Sequence, residues 1–369
     1  MAVSIGSSYL FMSLNLFLCL TIFVGKSLGA IAPAIYVFGD SLLDSGNNNF
    51  LQTQTKANFT PYGVDFPGEP TGRFTNGATG GDFIATFLGL PYPPAYLSLS
   101  EGRRRITTTG INYASSGSGI LPESGTALGD ILSMDEQIEY FKSTVKNDLP
   151  KIYRFRAIIS YTLSRSIFVI STGSNDYLNN YLQPQFYNRS QTYPPQQFAN
   201  LLLNTLEEQL TTIYELGGRK FVVYGLGALG CLPIVIAGAN PKPTTVCVED
   251  VNNLINIYNN GLPAMLQRLT SNLRGSTFIR ADLFTLGYTQ FQDPVKFGYT
   301  NTGRTPCCNF GVFGTCIPGQ QPCSDRDNRL FYDAIHPVQI VNYRFARDCF
   351  FRNSALCTPI NIQQLALKI

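Results

Sequence analysis

The chain has 369 residues, 44% of them hydrophobic and 14% charged, which is the composition of a globular protein with a large core and excludes a disordered polymer. Lys and Arg number 27 against 24 Asp and Glu, too even a balance for a nucleic-acid partner. The one basic run, Arg103-Arg104-Arg105, reads as a solvated loop.

Residues 9–25, YLFMSLNLFLCLTIFVG, form an uncharged apolar run, followed by Lys26 and the small residues SLGA. This pattern predicts a secretory signal peptide over residues 1–29, cleaved after Gly29 or Ala30, although no Lys or Arg precedes the run. An uncleaved anchor is the alternative, but the run is at the short limit for a membrane span. No later stretch is apolar enough to span, and the C-terminal NIQQLALKI carries neither an ER-retention nor a GPI signal. The expectation is a secreted, extracellular protein whose residues 30–369 form a single domain. No feature sets an oligomeric state.

AIYVFGD (34–40) is an apolar run ending in a turn, and GDFIATFLGL (81–90) has helical spacing. GINYASS (110–116) reads as a strand. SMDEQIEYFKSTVKN (133–147) reads as a helix, with Ser133 and Glu136 spaced as a capping box. Then come a strand, SIFVISTG (166–173), and a long helix ending in glycine, residues 195–218. KFVVYGLG (220–227) and TFIRADLF (277–284) are strands on either side of a helix over 249–273. Residues 336–351 read as a last helix with Pro337 in its first turn. Five buried strands alternating with helices predict an α/β fold around a mostly parallel sheet.

Cys19 lies in the leader, which leaves eight cysteines, an even number that suggests disulfides in a secreted chain. Four crowd into CCNFGVFGTCIPGQQPC (307–323), a segment with little apolar periodicity that needs cross-links to hold a shape. Cys316 is expected to pair with Cys307 or Cys308, and Cys231 with Cys247. A zinc cluster is the alternative for this segment, weakened by the oxidising setting and by the lack of a second histidine. Asn58 (NFT) and Asn188 (NRS) are candidate glycosylation sites.

In a parallel α/β sheet, ligands bind beyond the C-terminal ends of the strands. Asp40 and Ser41 follow the first strand there, Gly117 the second, and Asn175 the third. His336, the only histidine, stands three residues after Asp333 in the loop before the last helix. These are the parts of acyl transfer: a hydroxyl nucleophile, an imidazole base, a carboxylate to orient it, and N–H donors for an oxyanion. The backbone N–H groups of Ser41 and Gly117 and the Asn175 side chain are the candidate donors. Each piece alone has a structural reading: a turn, a cap, a helix-start histidine. The G-x-S-x-G elbow occurs only as GKSLG in the leader, a chance match, and there is no Walker loop or dinucleotide fingerprint. One histidine does not build a histidine-based metal centre.

Four blocks in order, FGDSLLDSGNN (38–48), INYASSGSGI (111–120), STGSNDY (171–177) and DAIHP (333–337), resemble the plant-type GDSL esterase/lipase family of SGNH hydrolases. GLGALGCLP and the double cysteine extend the likeness over the mature chain. The resemblance implies a flavodoxin-like three-layer α/β/α sandwich with a five-stranded sheet, no cofactor, and hydrolysis of carboxylic esters of small-molecule, lipid or cell-wall type. It implies Ser41 as nucleophile, His336 as base, Asp333 as its acid, and Ser41, Gly117 and Asn175 as the oxyanion hole. Three positions depart from the family pattern: Tyr332 replaces the usual Trp before the Asp, PVQ follows the histidine, and Ser116 precedes Gly117. An acyltransferase using the same groups, or a silent glycoprotein on the same fold, are the alternative functions. Loops 91–110 and 178–195 are where specificity is expected.

Overall fold

The computed structural model describes residues 29–68, 70–300, 304–353 and 355–369. The expected leader, except Gly29, lies outside the described residues. Four parallel strands stand side by side in chain order: β1 (Ile35–Gly39), β2 (Ile167–Ser171), β3 (Lys220–Tyr224) and β4 (Thr277–Ala281). A short β5 (Cys357–Thr358) closes the edge antiparallel to β4. The longer helices are α1 (Gly80–Leu88), α2 (Met134–Ser143), α3 (Arg156–Arg165), α4 (Pro195–Glu215), α5 (Glu249–Asn272), α6 (Leu283–Gln292), α7 (Gln339–Phe351) and α8 (Ile362–Leu367).

Alternate strand residues point to opposite faces. Tyr36, Phe38, Phe168, Phe221 and Phe278 pack on one side against α2, α4 and α5. Ile35, Val37, Val169, Val222 and Ile279 pack on the other against α1, α7 and α8. The result is the three-layer α/β/α sandwich that the resemblance implied, around the mostly parallel sheet that the alternation predicted. The Ser133–Glu136 capping box forms as expected.

The segment 110–116 departs from a regular strand. It runs parallel to the outer edge of β1, with Val37 N–H donating to Ile111 O (3.1 Å), Tyr113 N–H to Val37 O (2.8 Å) and Ser115 N–H to Gly39 O (2.9 Å). The Asn112 N–H and C=O sit on the opposite edge and pair with Pro94 and Tyr96, and the β1 ladder stays a single bridge because the Gly39 N–H goes to the Gln137 side chain at 2.8 Å. The chain thus visits one side of β1 and then the other, so the C-terminal end of β1 is a topological switch point.

Other differences are local. β4 stops at Ala281 because Asp282 caps α6, accepting the Thr285 N–H at 3.0 Å. The run Arg103-Arg104-Arg105 is not a free loop: residues Glu101–Arg104 make one helical turn, and Arg104 meets Asp148 at 3.3 Å. The helix expected over 336–351 begins at Gln339 as α7, leaving His336 in the loop ahead of it, and α8 follows it rather than α7 being last. All eight cysteines after the expected leader are paired: Cys231–Cys247, Cys307–Cys323, Cys308–Cys316 and Cys349–Cys357.

Candidate active site

Ser41 follows β1 directly, and the turn that presents it requires Gly39. That glycine has φ +132°, and a Cβ there would stand 1.8 Å from the Ser171 carbonyl oxygen. The Gln137 side chain of α2 clamps the turn, accepting the Gly39 N–H (2.8 Å) and donating to the Gly39 carbonyl (2.9 Å).

His336 arrives from the far end of the chain. Its Nε2 is 2.7 Å from Ser41 Oγ, and its Nδ1 is 2.7 Å from Asp333 Oδ2. The Nδ1–H donates to the carboxylate, so Nε2 is left to accept the serine proton. Asp333 is wholly buried and fully occupied. Its Oδ1 accepts the backbone N–H groups of Ile335 (2.8 Å) and His336 (2.7 Å), and its Oδ2 also accepts the Tyr62 hydroxyl at 2.6 Å. Burial, reinforced by the Asp333 charge, raises the Tyr62 phenol well above its ordinary range, so it stays a donor. The Phe74 ring lies 4.9 Å from the imidazole and fixes its tilt.

Sequence reasoning missed this support. Tyr62 sits 271 residues before Asp333, and its oxygen accepts the Cys316 N–H at 2.9 Å. Cys307 and Cys308 both donate to Tyr332 O, and Ala334 N–H donates to Gly314 O. The cysteine-rich segment is therefore a brace under the loop that carries Asp333 and His336. Tyr332, where Trp is usual, is buried and hydrogen-bonded to Pro61 O.

Gly117 and Asn175 face Ser41 across one cleft. The second half of the FGDSLLDSGNN block shapes the Gly117 loop. Asp44 accepts the Ser116 N–H (3.2 Å), and Asn48 donates to Ser116 O (2.8 Å) while taking the Ser115 hydroxyl (2.6 Å). Asn179 donates to Asn175 Oδ1 (2.7 Å), and Asn175 Nδ2 donates to Ser118 O (2.9 Å). That orientation leaves the second amide hydrogen of Asn175 unassigned. Among the described residues, neither the Ser41 nor the Gly117 N–H has an acceptor. Free donors lining one cleft are what an oxyanion requires.

Asp40, next to Ser41, is buried with one carboxyl oxygen unpartnered among the described residues. Burial pushes its pKa up to about 7, against the pull of the Leu42 N–H and of His336. Two spaces meet at Ser41. One, of about 140 Å3, is narrow and mostly apolar, running along the strand ends to α6 and α7. The other, of about 760 Å3, is a wide outer cleft. Of the two loops expected to set specificity, only 178–195 lines it, through residues such as Leu182 and Phe186. Loop 91–110 lines neither space, and the disulfide-closed segment Phe310–Thr315 takes its place. Asn58 and Asn188 are exposed.

Known proteins share the sequence over most of its length. A family model described as GDSL-like Lipase/Acylhydrolase matches residues 35–347. Among similar proteins of Arabidopsis thaliana, GDSL esterase/lipase 7 is 42% identical over 340 residues, covering 91% of this chain and 92% of its own. A second, also named a GDSL esterase/lipase, is 43% identical over 339 residues, covering 91% and 86%. A third is 40% identical over 344 residues, covering 91% and 88%.

Proposed function

The chain belongs to the GDSL lipase/acylhydrolase family and is a carboxylic ester hydrolase, and we propose that it works as a secreted serine esterase through a covalent acyl-enzyme. His336 Nε2 takes the Ser41 proton as Oγ bonds to the acyl carbon. The carbonyl oxygen becomes an oxyanion held by the N–H groups of Ser41 and Gly117 and by the Asn175 amide. Asp333 keeps the ring in the productive tautomer and supports the imidazolium. The C–O bond to the alcohol then breaks, and His336 gives the proton to the departing oxygen. Water repeats the steps on the acyl-enzyme: His336 removes its proton, and the acid leaves as Ser41 regains its own.

The observation that carries this reading is the continuous path Ser41–His336–Asp333, with 2.7 Å at each join. Secretion is supported by the apolar leader and by four disulfides, which persist in oxidising compartments. Exposed Asn58 and Asn188 are the glycan positions on this reading, and residues 30–369 the mature domain. Among the described residues no helix is long and apolar enough to cross a membrane.

The test is turnover of a short-chain aryl ester. Ser41→Ala and His336→Ala should each lower kcat by about 10³-fold or more, and Ser41→Ala should lose labelling by a fluorophosphonate. Wild-type rates in either variant would refute the assignment.

A further inference from the structure

Ser41 opens onto two unlike spaces, and we infer that they divide the ester between them: the narrow cavity takes an unbranched aliphatic acyl chain, and the wide cleft takes the alcohol. This rests on the serine-esterase reading above. Both spaces contain Ser41, Asn175 and His336 in their walls, so either side is reachable from the reacting carbon. Their chemistry decides between them.

The narrow cavity is walled by Leu178, Leu229, Val341 and Phe345, and by the face of α6 that carries Leu283 and Gly287. Its polar atoms are few: Asp40 and Tyr224 each keep one oxygen unpartnered among the described residues, and Asn342 is already spent on the Ala78 carbonyl at 3.2 Å. A polar or charged alcohol would lose more hydration there than these few groups return. A methylene chain gains instead, by about three- to four-fold in kcat/KM for each CH2 buried. The wide cleft carries Thr55, Asn179, Gln183 and Tyr187 among its apolar groups. The two-step chemistry favours the same division. The acyl group stays in place through both steps, whereas the alcohol must leave and water must enter by the route it vacates. The larger space, about 760 Å3 against 140 Å3, serves that traffic.

Gly287 sets the room at the α6 wall. A Cβ there meets no atom within 4 Å, and its mid-helix position accepts a larger residue. The experiment is kcat/KM on p-nitrophenyl acetate, butyrate, hexanoate, octanoate and the branched 3,3-dimethylbutanoate. Wild type should rise from acetate to the longer straight chains and process the branched ester at least tenfold more slowly than hexanoate. Gly287→Leu should cut the octanoate-to-acetate ratio at least tenfold. Leu283→Phe, which fills the same wall, should do likewise. Val312→Ser on the outer cleft should leave that ratio as in wild type. A ratio indifferent to both α6 variants, or one that follows Val312, overturns the division, as does a branched ester matched to hexanoate. Failure of the underlying reading looks different: acetate would then still turn over in Ser41→Ala.

Discussion

At the scale of single residues, the carboxylate proposed to orient the base is hydrogen-bonded by a group outside the proposed triad. The Tyr62 hydroxyl shares Asp333 Oδ2 with the imidazole and draws negative charge away from it. Removing the hydroxyl leaves Asp333 Oδ2 with the imidazole alone and takes away the link from the carboxylate to the Cys316 N–H. Tyr62→Phe should therefore lower kcat on a short-chain aryl ester by about threefold to tenfold while KM changes little. A wild-type kcat in the folded variant would remove Tyr62 from this role. Asp40 makes a different kind of contribution. Its folded pKa of about 7 lies above its ordinary 3.8, so the native state binds more protons than the unfolded one between those values. The stability this confers is complete below about pH 4 and is lost as pH rises through about 7. Asp40→Asn keeps an acceptor for Leu42 N–H and removes the titration. Urea unfolding at pH 6 and pH 9 should show wild type losing on the order of 1 kcal/mol or more that the variant retains.

At the scale of elements, the N-terminus of α1 is the anchor for two loops of the site. Arg73 binds Asp82 through two bonds, 2.7 and 2.9 Å, and also reaches Ser45 O and Thr71. Asp82 is completely buried and closes the α1 capping box with Thr79. Removing the guanidinium leaves that carboxylate buried and unpaired. Arg73→Ala should cost about 3–5 kcal/mol, read as a lower denaturant midpoint. Phe74 over the imidazole is the next residue along, so the ester-hydrolysis rate should fall with it. Elements that signal locally were legible in the sequence. The Ser133–Glu136 box and the leucine face of α4 are examples, because capping and amphipathic spacing act within a few residues. α3 gave no such signal: only Ile159, Thr162 and Leu163 of it are buried. The composition of 110–116 reads as a strand, but the Gly39 N–H that would extend its ladder goes to Gln137, and no propensity scale contains that.

At the scale of the whole molecule, the sheet topology explains why so few residues suffice for a site. The switch in direction beside β1 opens a crevice at its C-terminal end, and Ser41, Gly117 and Asn175 each follow a segment that ends there. Their meeting with His336 was legible because strand order and a lone histidine left few other arrangements. What supports them was not. Tyr62 acts across 271 residues of chain and Gln137 across 98, Phe74 reaches a ring near the other end, and nothing near them in sequence marks the partner. The disulfides were half legible for the same reason: Cys231–Cys247 was expected, whereas Cys307–Cys323 depends on how the brace folds under Asp333.

The hydroxyl and the imidazole are 295 residues apart along the chain. A ribosome releases the second of them only 295 residues after the first. On the proposed mechanism every fragment made in between carries the serine without its base, so nascent or prematurely terminated copies should be inert toward the esters of the cell that makes them. Completion of synthesis is in effect the safety catch on this hydrolase.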